Sequence, residues 1–234
     1  MYIPVLNTVP LAGGNTKFDY IVCCTKNVPD VGPSLCETIA PAVTAGHTVI
    51  VLIQNGLNIE KPFLSRFPDN IVLSGVSRID AHEIRPGVIE QKKKDNLRVG
   101  AFHNPRIPVN DQRRVAETFV GIYSAGGKTT CLHEPEVAHD RWIKLIYNAT
   151  LNPICALTAV NTGDLHLAES AVDILVVPAM EEVVRVSEAK GCPLPKSIID
   201  DTIRNNPVEE KIAPSMQKDL EKVCYRLLLI LNSG

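Results

Sequence analysis

The sequence predicts an α/β domain built on a parallel sheet, followed by an all-helical domain. Up to about residue 132, short apolar runs rich in β-branched residues alternate with segments of helical spacing, the pattern of right-handed strand–helix–strand units. Beyond that point the strand pattern stops, and helical periodicity continues with Pro or Gly in most of the gaps. We therefore predict two domains, residues 1–132 and 133–234.

The first predicted strand, Phe18–Thr25, is almost continuously apolar, as expected of a strand buried on both faces of a parallel sheet. Helical spacing follows over Val31–Val43, and Gly46 is placed to end that helix. Further predicted strands are His47–Ile53, Ile71–Val76, Val88–Gln91, Leu97–Phe102 and Lys128–Leu132, with 88–91 and 97–102 at the far edge of the sheet. Further predicted helices are 59–66, 112–125, 137–150, 153–160, 168–190, 196–205 and 215–221.

Composition excludes several classes of protein. A net charge of −2 with interspersed acids and bases does not predict binding to nucleic acid or to an anionic membrane. The apolar runs are far shorter than the roughly 20 residues that a membrane span needs. The seven cysteines form no C-x-x-C pair, and the six histidines show no metal-ligand spacing, so no metal site is expected. We expect a soluble protein with buried thiols in a reducing compartment, the cytoplasm.

Three polar residues stand out at the start of the helical domain. Lys144 and Asn148 are four residues apart and share one helix face. Asn152 precedes Pro153, which predicts that Asn152 caps a new helix at a bend. Spacing alone leaves open a solvated polar stripe formed by Arg141, Lys144 and Asn148.

The segment that contains these residues, R-W-x-K-L-x-Y-N-x-x-x-N-P-x-x-A-L-T over 141–158, resembles the ketopantoate reductase (2-dehydropantoate 2-reductase) family. Three more segments resemble that family in the same order and spacing. They are F-D-Y-I-V-C-C-T-K, which ends at Lys26, I-Q-N-G-L, which contains Asn55, and P-S-M-Q-K-D-L, which contains Ser215. The resemblance covers most of residues 18–222, and the loops are most similar to those of fungal members.

The resemblance implies an incomplete Rossmann-type parallel sheet domain followed by an all-helical C-terminal domain. It implies NADPH-dependent reduction of 2-dehydropantoate to pantoate, in pantothenate biosynthesis, with a 2-keto acid as partner molecule and a homodimer as a compatible assembly. Lys144 would be the general acid, because an ammonium both polarises a ketone and gives it a proton. The implied substrate-binding residues are Asn55, Asn148, Asn152 and Ser215, and the implied cofactor-binding residues are Lys26 and Asn55. From the residues alone, Lys26 could equally be a surface lysine, and Asn55 a turn residue paired with Gly56.

The sequence departs from the family pattern near both ends. The family opens on a G-x-G-x-x-G phosphate loop, whereas residues 1–17 contain only Ala12-Gly13-Gly14-Asn15. The strand around residues 20–24 would then have an exposed edge. Near the other end, Leu227 occupies the position of a late substrate-binding glutamate. We therefore expect a chain truncated at both ends.

Two explanations fit the departure after Lys222: a divergent helix, or a retained intron that begins at Val223-Cys224. Three functions stay open as well. They are the reductase itself, an inactive fragment or pseudoenzyme that acts at most as an interaction module, and a reductase of another branched 2-keto acid.

Overall fold

The computed structural model describes residues 4–28 and 32–222. The chain divides into two compact units between Asp140 and Arg141. The domain boundary at residues 132/133 stays a prediction, with the last strand ending at His133 and the next helix beginning at Val137. The predictions about Leu227 and about Val223-Cys224 concern residues outside the described part of the chain.

The first unit contains seven strands within the described residues. They are β1 (Tyr20–Cys23), β2 (Val49–Leu52), β3 (Val72–Ser77), β4 (Ala81–Arg85), β5 (Val88–Gln91), β6 (Asp95–Ala101) and β7 (Thr129–His133). Five of them form one sheet in the order β1-β2-β3-β6-β7, in which β1, β2 and β3 run parallel to one another and β6 runs parallel to β7. This confirms an α/β unit with a mostly parallel sheet.

Two details of the predicted sheet are wrong. β6 lies inside the sheet and is antiparallel to β3, with Gly75 opposite Val99. The reason is the connection: the chain returns from β3 through the β4–β5 hairpin and not through a crossover helix, so β6 must come back in the opposite direction. β5 pairs with β4 in a separate two-stranded sheet, so it is not a far-edge strand of the main one.

The helices of this unit are α1 (Leu35–Ile39), α2 (Lys61–Arg66) and α3 (Val109–Ser124). α1 is shorter than predicted. It begins at a capping box, in which Ser34 and Glu37 exchange hydrogen bonds, and it gives way to a 3-10 turn that contains Pro41. Proline lacks the N–H that an α-helix needs, so the helical spacing continues to Val43 although the α-helix does not.

The core of this unit lies on both faces of the sheet. Ile50 and Leu52 point to the face covered by α1 and α2, and Val49 and Val51 point to the face covered by α3. Ile50, Val51 and Leu52 are 0% exposed. β1 pairs only with β2 within the described residues, and its Val22 is 46% exposed, so the expected exposed edge is present.

Beyond β7 the described residues form helices and no strand. The named helices are α4 (Val137–Ala149), which crosses the division between the units, α5 (Leu151–Thr158), α6 (Thr162–Leu167), α7 (Val177–Ala189) and α8 (Ile198–Arg204). A π-helical turn, Val172–Val176, precedes α7, and residues 215–222 are helical. Ile146, Cys155 and Met180 are 0% exposed and belong to the core of this second unit. Within residues 4–28 and 32–222, no helix combines the length and the apolar character needed to cross a membrane.

Candidate active site

Lys26 and Asn55 lie at the same edge of the sheet. Each comes shortly after the carboxyl end of a strand, and the two strands, β1 and β2, are parallel neighbours. A side-chain contact links the two strand ends: buried Gln54 donates from Nε2 to the carbonyl oxygen of Thr25 at 2.7 Å. Lys26 and Asn55, the next residues along the chain, are both exposed. The carboxyl ends of parallel strands are where open α/β sheets bind ligands, so this edge can take a nucleotide.

The turn after β2 requires its glycine. Gly56 has a φ of +111°, and a Cβ added there would lie 3.3 Å from Cγ2 of Ile59. The sequence pattern Q-N-G marked the turn, but the role of Gln54 was missed. The available signal was a polar residue directly after a buried strand, where a side-chain amide can satisfy backbone groups of the neighbouring loop.

The glycine pair near the start of the chain does not form a phosphate loop. Gly13 and Thr16 bond to each other through both backbone N–H groups, at 3.0 Å each, and Gly14 has a φ of +56°. The chain then continues into β1 without an intervening helix. A phosphate loop needs a helix N-terminus after it, so this turn offers no such cradle.

The second group of predicted residues lies on α4 and α5. Lys144 and Asn148 are half-buried on α4, and Asn152 on α5 is 5% exposed. Arg141 is also 5% exposed. The alternative of a solvated polar stripe is therefore wrong, because one of its three members is buried and the other two are partly covered.

The predicted cap at Asn152 is wrong. The break between the two helices is at Thr150, with φ −117° and ψ −73°, and Asn152 lies in the first turn of α5. Thr150 Oγ1 donates to the carbonyl oxygen of Ile146 at 2.6 Å, which closes the last turn of α4 locally. Pro153 still explains the break, because it has no N–H for the carbonyl of Ala149, and the first turn of a helix tolerates this.

Asn152 carries a buried polar atom that has no hydrogen-bond partner among the described residues. Its Nδ2 donates to Oδ1 of Asn148 at 3.1 Å, which joins the two amides. Its own Oδ1 is buried and accepts no hydrogen bond from any described residue. Such an atom costs about 1–3 kcal/mol of stability. A small ligand with a hydroxyl or N–H group would satisfy it, so this amide pair suits a polar substrate.

Two titratable groups on α4 and α5, Tyr147 and Cys155, stay neutral near pH 7. Burial, and then the nearby Cys155 thiol, raise the pKa of Tyr147 above its usual value. Burial also raises the pKa of Cys155. Both groups therefore stay protonated near neutral pH and carry no charge there.

Ser215 and a cavity in the first unit stand outside these two groups of residues. Ser215 is exposed at the first residue of the helical stretch 215–222. The described residues contain no group of three or more His, Cys, Asp or Glu side chains placed to hold a metal ion. A cavity of about 360 Å³ lies in the first unit against α2, with Glu60, His103 and Glu136 as its polar lining, but none of the predicted site residues lines it.

Comparison with known proteins identifies two matching family models. The model described as "Ketopantoate reductase PanE/ApbA" matches residues 4–104, and the model described as "Ketopantoate reductase PanE/ApbA C terminal" matches residues 136–223. The first match contains Lys26 and Asn55, and the second contains Lys144, Asn148, Asn152 and Ser215.

Individual relatives agree. An uncharacterised protein of Saccharomyces cerevisiae is 32% identical over 230 residues, which cover 90% of this chain and 63% of that protein. The crystal structure of 2-dehydropantoate 2-reductase from Methylococcus capsulatus is similar with a TM-score of 0.74 and 29% identity, covering 91% of this chain and 65% of that one. D-mandelate dehydrogenase in complex with NADH and anilino(oxo)acetate has the same fold, with a TM-score of 0.74 and 18% identity over 89% of this chain and 65% of its own. The chain thus spans 63–65% of the length of these relatives.

Proposed function

Because the chain belongs to the ketopantoate reductase PanE/ApbA family, we propose that it reduces 2-dehydropantoate to pantoate with NADPH. The family consists of nicotinamide-dependent reductases of 2-keto acids. One observation supports the assignment to this site. The amide of Asn152, which pairs with Asn148 one helical turn beyond Lys144, has a buried oxygen without a partner in residues 4–28 and 32–222. A hydroxylated keto acid supplies the donor that this oxygen lacks.

In the proposed reaction, the ketone carbon gains a hydride and the ketone oxygen gains a proton. NADPH, when bound, supplies the hydride. The ammonium of Lys144 polarises the carbonyl beforehand and then transfers one proton to its oxygen, so that a 2-hydroxy acid leaves and the neutral amine takes a proton from water. Asn148 and Asn152 orient the substrate through its hydroxyl and carboxylate groups. Ser215 is proposed as a further substrate contact.

Lys26 and Asn55 are proposed to hold the nicotinamide end of the cofactor, with Asn55 also contacting the substrate. Both side chains are exposed at the carboxyl edge of the sheet, and Gln54 fixes the two loops that carry them. These residues fit the nicotinamide end. They do not fit the pyrophosphate, because the Gly13–Gly14 turn closes on itself.

We propose a homodimer in the cytoplasm. A ketopantoate reductase of Staphylococcus aureus that shares this fold, at 20% identity and a TM-score of 0.63, is dimeric. The described cysteines are free thiols, which suits a reducing compartment; they are Cys23, Cys24, Cys36, Cys131, Cys155 and Cys192.

The test is a titration of the purified chain with NADPH and with NADH, followed by turnover of 2-dehydropantoate and of a panel of other branched 2-keto acids. We expect NADPH to bind measurably, and 2-dehydropantoate to have the highest kcat/KM. A higher kcat/KM for another branched 2-keto acid would identify that acid as the substrate and leave the proposed type of reaction unchanged. The absence of measurable cofactor binding would contradict the proposal and favour a pseudoenzyme.

A further inference from the structure

A buried carboxylate holds the first turn of α4. Asp140 is 1% exposed and accepts two hydrogen bonds from Arg78, from Nη2 to Oδ1 at 2.6 Å and from Nη1 to Oδ2 at 3.3 Å. Nη1 of Arg98 lies 3.4 Å from the same Oδ1. Two guanidinium groups therefore converge on one carboxylate, in a two-oxygen geometry that fixes orientation as well as distance.

The partners of Asp140 are themselves fixed to the sheet. Arg78 directly follows β3, and its backbone N–H donates to the carbonyl oxygen of Asn96 at 2.8 Å. Arg98 is part of β6 and makes a second ion pair with Glu134 at 3.2 Å. Both arginines are thus held by their backbone in the sheet and by their side chain in an ion pair.

The chain that leads into α4 is held in the same way. The N–H of Glu134 donates to the carbonyl oxygen of Val99 at 2.7 Å, and a Cβ added to Gly100 would lie 1.8 Å from the carbonyl oxygen of Glu134. Glu134 Oε1 accepts from the N–H of Glu136 at 3.0 Å, just before α4 begins. The start of α4 therefore has a fixed position and a fixed rotation about the helix axis.

We propose that Asp140 is a positioning residue for Lys144. The proposal rests on the proposed function, in which Lys144 is the proton donor. α4 runs without interruption from Val137 to Ala149, and Asp140 and Lys144 are four residues apart on one helix face. We call the ion pairs of Asp140 with Arg78 and Arg98 the clamp. The clamp sets the rotation of α4 about its axis, and this rotation sets the direction in which the side chain of Lys144 points.

The clamp matters because acid catalysis depends on placement. A displacement of about 1 Å at a reacting group lowers the rate roughly a hundredfold. A small rotation of α4 about its axis, enough to move the Lys144 ammonium by about 1 Å, would therefore slow proton transfer. Removing the charge of Asp140 should therefore slow the reaction although Asp140 does not touch the substrate.

The test compares Asp140→Asn with a matched control, Asp111→Asn. Asp111 also lies in the first turn of a helix and pairs with an arginine, Arg114, at 3.2 Å, but it is on α3 and half-exposed. For folded protein well below its Tm, we expect Asp140→Asn to lower kcat by about 10- to 100-fold with the Kd for NADPH within about twofold of wild type, and Asp111→Asn to change neither. Arg78→Gln should also lower kcat. If Asp140→Asn does not fold, Arg78→Gln is the variant that tests the proposal.

The double variant Arg78→Gln/Asp140→Asn gives the decisive comparison. If the two residues act through one clamp, its kcat is no lower than that of Asp140→Asn alone. Losses that multiply, or a wild-type kcat in Asp140→Asn with only a lower Tm, would overturn the proposal.

A second readout needs no turnover, so failure of the proposed function can be told apart from failure of this inference. Lysines are reductively methylated with ¹³C-formaldehyde, and the dimethyl resonance of Lys144 is assigned by its absence in Lys144→Arg. The resonance should move in Asp140→Asn and stay in place in Asp111→Asn. An unmoved resonance overturns the positioning role even if the wild-type chain does not reduce 2-dehydropantoate.

Discussion

Replacing Asn152 by leucine tests whether its amide serves a ligand or the fold. Leucine has a similar size and no polar atoms, so the variant removes both the unpaired Oδ1 and the donation to Asn148. An unpaired buried amide oxygen costs about 1–3 kcal/mol, and a neutral hydrogen bond contributes about 0.5–1.5 kcal/mol. Asn148 is half-buried, so water can replace the lost donor. We expect the free energy of unfolding of Asn152→Leu to rise by about 1 kcal/mol.

Asn70 provides the matched control. It is 2% exposed, and its Nδ2 donates to the carbonyl oxygens of Thr44 and Thr48 at 2.9 and 2.8 Å. Asn70→Leu would leave both carbonyls without that donor, at a cost of at least about 2 kcal/mol. Urea unfolding of the two variants and the wild type measures the contrast, because a shift of midpoint at a constant m-value reports stability.

Activity should move in the opposite direction to stability. A hydrogen bond to a charged or strongly polar substrate group contributes about 1.5–3 kcal/mol, so kcat/KM should fall roughly 10- to 150-fold in Asn152→Leu. Asn70→Leu should keep its kcat/KM while folded. If Asn152→Leu loses as much stability as Asn70→Leu, or if it keeps full activity, Asn152 serves the fold and the argument from its unpaired oxygen is refuted.

Three further predictions concern close packing, pH and the sheet edge. Gly100→Ala should lower the free energy of unfolding by about 3 kcal/mol or more, because its Cβ would meet the carbonyl oxygen of Glu134. As a control, Gly121→Ala in α3 meets no described atom within 4 Å and should raise the free energy of unfolding by about 0.5–1 kcal/mol. Thermal unfolding measures both variants, and equal effects would contradict the predicted clash. Burial raises the pKa of the Cys23 thiol from 9.0 to about 12, so as the pH rises this thiol ionises in the unfolded state before it does in the folded state. The resulting contribution to the free energy of unfolding is complete below pH 9 and is lost as the pH rises towards 12. Between pH 7 and pH 10, the free energy of unfolding measured with urea should therefore fall by about 1.4 kcal/mol more in wild type than in Cys23→Ala. Equal falls in the two proteins would show that the thiol ionises as easily in the folded state. Gln54→Leu removes the link between the β1 and β2 loops and should weaken NADPH binding roughly tenfold in a fluorescence titration; an unchanged Kd would rule out this role.

Burial decided which strands could be predicted from the sequence. β2 and β3 are almost wholly buried and read as continuous apolar runs, so their positions were evident. β4 was missed because it is partly or fully exposed and its residues, Ala-His-Glu-Ile-Arg, show no strong alternation. The antiparallel direction of β6 follows from that missed hairpin. No local property of Asp95–Ala101 encodes it.

The candidate site was predictable where a motif carries it and not where a long-range contact does. Lys26 and Asn55 were placed at strand ends from the apolar runs before them. The hydrogen bond from Gln54 to Thr25 joins residues 29 positions apart in the sequence, so periodicity does not reveal it. The clamp of Arg78 on Asp140 spans 62 positions, and its recognition required the fold.

The break between α4 and α5 shows a local limit of the same kind. Pro153 correctly indicated a break, but several residues before it could end the helix. The hydroxyl of Thr150 bonds back to the carbonyl of Ile146, which places the break two residues before Asn152. Backbone rules give the existence of such a bend, and side-chain geometry gives its position.

The most direct test of the central claim is the rate of NADPH oxidation with 2-dehydropantoate by the wild-type chain, by Lys144→Ala and by Lys190→Ala, an exposed lysine at the end of α7. If Lys144 donates the proton, kcat should fall by about 10²- to 10⁴-fold in Lys144→Ala, with the Tm and the Kd for NADPH close to wild type, while Lys190→Ala should keep the wild-type rate. Equal turnover by Lys144→Ala and the wild type would contradict the role of Lys144 as the general acid.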